Sequence, residues 1–283
     1  MKSERPLKPV MIRLGAAHLD EAQDLSAREH WPHRREDWQF LLDLGSGFGL
    51  LVGGRLVGTG LLVPHGARAA TCGMIIVDVR MRGHGLGRRL MAALLDKAGA
   101  RECRLIATDS GQAMYERMGF VPTAEVLQCQ GIAAALPAPG GVVPATAADL
   151  RGMAALDRAA TGMDRGLLLR RLIAAGPVLL LRDATGLRGH VACRRFGRGT
   201  LIGPLVVRDP AAAEILMRAA IARHAGGFLR VDLTVAGSRL AALVHAAGLA
   251  PVGGGLAMTR PGSRPCPAPS GAVVHALASH ALC

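Results

Sequence analysis

The sequence predicts an α/β protein in which one pattern of strands and helices occurs twice. Hydrophobic periodicity indicates the order βααβββαβαβ over residues 10–129, and the order repeats beyond residue 147. Residues 113–122 also align with residues 242–251, which indicates a duplication. A chain of 283 residues has room for two such domains, each with a mixed, mostly antiparallel sheet flanked by helices.

The elements of the first copy follow from turn residues and apolar spacing. Gly53-Gly54 lies between two apolar runs, a pattern typical of a hairpin, and Leu90, Leu94 and Leu95 recur at helical spacing after a run of glycines. The predicted strands are 10–14, 49–52, 55–62, 70–79, 103–107 and 126–129. The predicted helices open near residue 20, cover 34–44, and end at residues 98 and 119.

The second copy repeats this order after a break. Its predicted helices are 148–159, 164–175, 211–224 and 239–247, and its predicted strands are 178–181, 188–194, 200–207, 228–233 and 252–258. Prolines and paired glycines at 137–144 exclude a continuous helix or a central strand there. We expect a first domain at 1–132, a linker at 133–146, a second domain at 147–261, and a mobile Pro/Ser-rich tail at 262–283 unless its apolar end docks on a domain.

Composition excludes several classes of protein. Half of the residues are apolar and 19% are charged, which is ordinary globular usage. The net charge of +13 comes from scattered arginines, and only 3% of residues are aromatic, so we expect no nucleic-acid partner. Six widely spaced cysteines predict no metal site, and the absence of a signal sequence or an apolar span predicts a cytoplasmic protein without a membrane partner.

A glycine-rich turn at residues 82–89, RGHGLGRR, carries the main chemical signal. It lies between a β-branched strand and an amphipathic helix, so unpaired backbone N–H groups and the positive end of the helix dipole meet there. Such a turn suits a phosphate or pyrophosphate, and the nearby arginines add positive charge. The alternative is that these glycines only form a turn and allow the helix to pack on the strand.

Other nucleotide motifs fit less well. The chain has no G-K-[ST], which excludes a P-loop. Residues 41–49, LLDLGSGFG, resemble the first motif of S-adenosylmethionine-dependent methyltransferases, but that motif requires a helix directly after the glycines. A hairpin is predicted there instead, so we interpret Gly45 as the end of a helix.

Two motifs together resemble the GNAT family of N-acetyltransferases. Residues 82–87, RGHGLG, are similar to the family's cofactor motif Q/R-x-x-G-x-G/A, and they follow the hydrophobic strand at 73–79. Residues 113–120, AMYERMGF, are similar to the family's later signature A-x-x-L-Y-E-x-x-G-F. The resemblance covers residues 9–132 well and 140–260 more weakly, as a degenerate second GNAT-like copy.

The resemblance implies acetyl-CoA as the cofactor. In the family, strands four and five splay apart, and pantetheine pairs with the exposed edge of strand four. By this likeness, the backbone of Ile76, Val77 and Val79 would hold pantetheine. The turn would hold the pyrophosphate through Arg82, Gly83, His84, Gly85, Leu86, Gly87 and Arg88.

The likeness also assigns Tyr115 as the general acid that protonates the departing thiolate. The alternative is a core ring with a satisfied hydroxyl. The general base stays open among His30, His33, Asp37, Asp78 and Asp109. Of these, His33 and Asp37 fall in the segment that borders the acceptor pocket in the family.

We expect a tandem N-acetyltransferase that moves acetyl from acetyl-CoA to an amine of a small molecule by direct attack. The second copy has Asp209-Pro210-Ala211 in place of the glycines and Val244 opposite Tyr115, so we expect it to shape the acceptor pocket. A non-catalytic acyl-CoA-binding or sensor protein is the alternative from another class. A methyltransferase is less favoured.

Overall fold

The computed structural model describes residues 8–283, which form two compact units. Unit one comprises the described residues up to 64 together with 72–99. Unit two comprises 65–71 and 100–283. Strand β4 begins in unit two and continues in unit one. The domain boundaries expected from the two sequence copies stay a prediction.

Unit one is a sheet of four strands with three helices. Its elements are β1 (Val10–Leu14), α1 (Leu19–Arg28), α2 (Arg35–Leu44), β2 (Ser46–Val52), β3 (Arg55–His65), β4 (Ala69–Val77) and α3 (Leu86–Ala98). The strands lie in the order β1-β2-β3-β4, and β2 is antiparallel to both β1 and β3. A cluster that includes Leu50, Val57, Leu86 and Leu90 packs α3 on the sheet.

Unit two contains the remaining strands and helices. They are β5 (Glu102–Ala107), α4 (Asp109–Arg117), β6 (Val121–Ile132), β7 (Val142–Pro144), α5 (Leu150–Thr161), α6 (Gly166–Ala175), β8 (Val178–Asp183), β9 (Gly186–Phe196), β10 (Gly199–Val207), α7 (Pro210–Arg223), β11 (Phe228–Leu233), α8 (Ala241–Ala246), β12 (Ala250–Arg260) and β13 (Val273–Ala276). From β5 onward the strand order is β5-β12-β6-β11-β13-β10-β9-β8-β7. Leu216 and Met217 of α7 are fully buried in its main core.

The predicted class of fold is confirmed. Each copy contributes one parallel pair, β4 with β5 and β10 with β11, and the other pairings for which a register is defined are antiparallel. The hairpin turn is also confirmed, because Gly53 and Gly54 have φ of +57° and +78° and Val52 pairs with Arg55. Residues 45–49 enter strand β2 rather than a helix, which removes the methyltransferase motif.

The two sequence copies exchange their last strands within unit two. Strand β12 of the second copy lies between β5 and β6 of the first, with Leu256 opposite Ala107 and opposite Glu125. Strand β6 in turn pairs with β11 of the second copy, from Phe228 opposite Ile132 onward. Each copy therefore completes its sheet with a strand from the other.

Two short strands lie in segments expected to be a linker and a tail. Strand β7 pairs with β8 as an edge strand, the position in a sheet that tolerates Pro144. Strand β13 pairs with β10 and β11, so this part of the tail is ordered in the sheet. The physical reason is the apolar end of the tail, where Ala276, Ala278 and Leu282 are fully buried.

Within residues 8–283, no helix is long and apolar enough to cross a membrane. The six cysteines are free thiols, and the described residues contain no cluster of metal-ligating side chains.

Candidate functional site

Strand β4 leaves one of its edges open. Its parallel pairing with β5 covers only Ala69, Ala70 and Thr71, and within the described residues the edge beyond them has no strand partner on that side. Met74 lies inside this stretch with a φ of +53°, which is rare for a residue other than glycine. The hydroxyl of Thr59 donates a hydrogen bond of 2.8 Å to the Met74 carbonyl and holds this irregularity. Ile76 and Val77 follow it, on the open edge.

Asp78 shapes the turn that leaves β4. Its backbone N–H donates to the Val57 carbonyl at 2.9 Å, and its carboxylate accepts from the N–H of Arg80 at 3.0 Å. The guanidinium groups of Arg80 and Arg28 also donate to this carboxylate, at 3.0 and 3.1 Å. These hydrogen bonds, above all those from Arg80, lower the pKa of Asp78 to about 2. Asp78 is therefore an ionised turn former and a weak base.

The glycine-rich turn ends at the first residue of α3. Gly83 and Gly85 have φ of +80° and +72°, a conformation that side chains rarely adopt. The first backbone hydrogen bond of the helix runs from the Arg89 N–H to the Gly85 carbonyl, at 3.0 Å. Within the described part of the chain, the N–H groups of residues 83–88 have no acceptor. A Cβ at Gly83 or Gly85 would meet nothing within 4 Å, so the surface in front of the turn is open.

The basic side chains around this turn divide between structural contacts and solvent. Arg82 forms an ion pair with Glu29 and donates to the Val77 carbonyl at 3.2 Å. Nδ1 of His84 lies 2.9 Å from the Arg82 carbonyl oxygen. Arg88 is exposed and makes no hydrogen bond or ion pair within residues 8–283. Positive charge and unpaired N–H groups therefore coincide, as an anion-binding site requires.

Tyr115 lies on α4, in unit two, and its side chain is buried. Its ring meets that of Phe120 edge to face, with 6.0 Å between the centroids. An ideal Cβ at Gly111 would lie only 2.9 Å from Cε2 of Tyr115, so the glycine provides room for the ring. The Tyr115 carbonyl accepts from the N–H groups of Met118 and Phe120, which closes the turn after the helix.

The two residues predicted on the acceptor side occupy structural positions in unit one. Asp37 is buried at the start of α2, and its carboxylate accepts from the backbone N–H of Arg34 at 3.0 Å. The Arg34 guanidinium donates to both oxygens of that carboxylate, which raises the pKa of Arg34. The His33 ring lies edge to face with Trp31 and Trp38, at 5.9 and 6.3 Å between centroids. Both carboxylate oxygens of Asp37 are thus already engaged in capping and pairing.

Two features of this region were not predicted from the sequence. The positive φ of Met74 has no local signal, because methionine carries no preference for that conformation. Asp78 did carry a signal, since aspartate before a short turn is a common cap of its N–H groups. The sequence alone left Asp78 among the candidate bases.

Comparison with known proteins identifies the family of each sequence copy. A model described as the acetyltransferase (GNAT) family matches residues 15–120, and another described as an acetyltransferase (GNAT) domain matches residues 153–271. The uncharacterized N-acetyltransferase YitH of Bacillus subtilis (strain 168) is 28% identical over 234 residues. That match covers 79% of this chain and 81% of the relative.

Solved structures share the fold over almost the whole chain. A candidate acetyltransferase from Pyrococcus horikoshii aligns with a TM-score of 0.82 at 17% identity and covers 100% of this chain and 99% of that one. A tandem GNAT protein from the clavulanic acid biosynthesis pathway aligns with a TM-score of 0.62 at 19% identity, over 89% and 98% of the two chains.

The fold and the two domain matches define a tandem acetyltransferase. The chain belongs to the GNAT family, with one GNAT domain in each sequence copy.

Proposed function

We propose that this GNAT acyltransferase moves an acetyl group from acetyl-CoA to the amine of a small molecule by direct attack. The observation that carries the proposal is the row of unpaired N–H groups at residues 83–88, which ends at the N-terminus of α3. A diphosphate is the ligand chemistry that such a row suits. The turn before α7, which corresponds to it in the second copy, leaves no comparable row, since Asp209 already caps that helix.

The residues present fit the cofactor. The open edge of β4 at Ile76 and Val77, with Val79 beyond it, offers backbone groups to the amide-containing pantetheine arm. The N–H groups of residues 83–88 would hold the pyrophosphate, and the exposed side chain of Arg88 would add positive charge. When bound, acetyl-CoA supplies an acetyl group activated as a thioester.

The reaction then requires two proton transfers, one from the acceptor amine and one to the leaving thiolate. An amine near its ordinary pKa of about 10.4 is protonated at neutral pH and must lose a proton before it attacks. We assign the Tyr115 hydroxyl as the acid that returns a proton to the leaving thiolate. Asp78 is too weak a base because of its arginine partners, and Asp37 is held by Arg34. His30, His33, Asp109 or a water molecule remains for the first step.

Calorimetric titration with acetyl-CoA tests the proposal, with S-adenosylmethionine as a control ligand. We expect saturable binding of about one acetyl-CoA per chain, and no heat from the control ligand. Gly85→Glu should weaken acetyl-CoA binding by about 100-fold or more, because its side chain would fill the open surface with negative charge.

Gly54→Glu is the matched control variant. Gly54 is also an exposed turn glycine with positive φ and open space around its Cβ, but it lies in the β2–β3 hairpin. Binding should survive in Gly54→Glu. Equal loss in both variants, or no binding of acetyl-CoA by the wild type, would remove the cofactor assignment.

A non-catalytic acyl-CoA sensor is the second candidate. It is favoured by the fact that Asp37 and Asp78, two of the candidate bases, are both held by arginines. A sensor would bind acetyl-CoA in the same titration. It would release no CoA thiol when a panel of small amines is added, whereas the enzyme would.

A further inference from the structure

The C-terminal strand β13 fills a gap between two strands of the second copy. Strands β10 and β11 pair in parallel only where Thr200–Ile202 face residues 229–231. Beyond that point β13 lies between them, with Leu205 opposite Ala276 and Val207 opposite Val273 on the β10 side. On the β11 side, Leu233 is opposite the same Ala276. One four-residue strand thus joins both strands at the point where they separate.

Hydrogen bonds hold this strand in place along its length. The Leu277 N–H donates to the Asp232 carbonyl at 2.9 Å, and the Thr234 N–H donates to the His275 carbonyl at 3.1 Å. The Thr234 hydroxyl adds a bond of 2.7 Å to the Val274 carbonyl. Because Ala276 and Ala278 are also fully buried, the segment is part of the core.

Two glycines shape the gap for a peptide backbone. An ideal Cβ at Gly203 would lie 1.9 Å from the Leu277 carbonyl oxygen. One at Gly237 would lie 1.9 Å from the His275 carbonyl oxygen. Any side chain at either position would have to displace the backbone of β13, so both residues fit this occupant.

In the first copy, no strand from residues 8–283 joins β4 in this way. There β4 also pairs with β5 over three residues, and then the edge of β4 is open. The turns that follow differ as well. In the second copy Asp209 accepts from the Ala212 N–H at 2.9 Å and is paired with Arg188, so the N-terminus of α7 already has its anion.

We propose that the second copy is a peptide-binding module whose ligand is the C-terminal segment of its own chain, bound by strand addition. The gap selects an extended backbone, which Val273–Ala276 supplies. The occupied gap and the carboxylate at α7 together exclude a dinucleotide-like ligand from this copy. The proposal concerns the second copy and does not depend on what the first copy binds.

Amide hydrogen exchange of the wild-type chain, with and without saturating acetyl-CoA, tests this. Without ligand, the amides of Val206 and Leu277 should exchange at least about 100-fold more slowly than unprotected amides. Acetyl-CoA should leave the amides of residues 205–207 and 273–277 unchanged. Exchange of residues 273–277 at unprotected rates, or a change there on adding acetyl-CoA, would overturn the proposal. A wrong cofactor assignment would show separately, as no change at residues 83–88.

A pair of glycine variants isolates the gap. Gly237→Val should speed exchange of residues 273–277 by at least about 10-fold while β1 stays protected, because the new side chain clashes with the His275 carbonyl. Gly140→Val should change neither, since Gly140 is exposed and nothing lies within 4 Å of its Cβ. Slow exchange of residues 273–277 in both variants would contradict the proposal that the binding site for β13 depends on Gly237. If Gly237→Val does not fold, the wild-type experiment decides alone.

Discussion

Tyr115 is the residue on which the proposed chemistry depends most directly. Tyr115→Phe removes only the hydroxyl and keeps the ring that packs on Phe120 and against Gly111. We expect turnover to fall by about 100-fold, the usual contribution of a general acid, with acetyl-CoA affinity near the wild-type value. Steady-state kinetics and calorimetric titration measure the two quantities.

An unchanged melting temperature in the Tyr115→Phe variant would show that the ring still packs. Under that condition, full turnover would contradict the role of the hydroxyl as an acid. A loss of acetyl-CoA affinity equal to the loss of turnover would instead assign Tyr115 to binding.

Single residues differ in how far their roles follow from the sequence. The turn at Gly83 and Gly85 could be predicted, because glycines before a helix are typical of a turn, and both residues have positive φ. Asp37 could not be separated from a catalytic base, since an acid at the start of a helix suits either role. The contact with Arg34 that decides it becomes visible only in the folded chain.

The turn between β4 and α3 makes its own prediction at the scale of elements. The pKa of Asp78 is lowered to about 2, so the folded state favours the ionised form. This stabilisation is present above the unfolded pKa near 4 and is lost as the pH falls from about 4 to about 2. Because both arginine partners reach solvent, we expect only about 1 kcal/mol.

Asp78→Asn should therefore lower the free energy of unfolding by about 1 kcal/mol at pH 7, measured by denaturant titration. The difference from wild type should shrink between pH 4 and pH 2. Asp96→Asn is the control, since Asp96 is exposed on α3 and makes no ion pair within the described residues. A difference that is constant with pH would show that the Asp78 ion pairs do not stabilise the turn.

Long periodic elements were predictable and short strands were not. The helix at α3 and the strand at β11 follow from apolar spacing that is repeated several times within the element. Strands β7 and β13 have three and four residues, too few to show a period, and their partners lie far away in sequence. These strands form because β8 and β10 each have an edge free to pair with them, and the sequence of β7 or β13 itself carries no signal of that edge.

At the scale of the whole molecule, duplication itself hides the exchange of the last strands. Strands β5 and β11 hold equivalent positions in the two copies, so β6 and β12 can each pair with either one on grounds of pattern. For each of these two strands, β5 and β11 are alternative partners, and sequence periodicity is the same for both pairings. The family likeness therefore predicted two domains, whereas the pairing of β12 with β5 came only from the structure.

The exchange predicts that the two copies cannot be separated by cutting the segment between them. Gly140 is exposed, and nothing lies within 4 Å of its Cβ, so a protease site inserted after it should be tolerated. After cleavage, β12 still lies between β5 and β6, and β6 still pairs with β11. We expect the cut protein to elute from a sizing column as one particle and to separate only in denaturant. The uncut chain is the control. Separation of the fragments in native buffer would mean that each copy keeps its own last strand. In the exchanged pairing, by contrast, β6 and β12 each lie between two strands of the other fragment and form backbone hydrogen bonds with both.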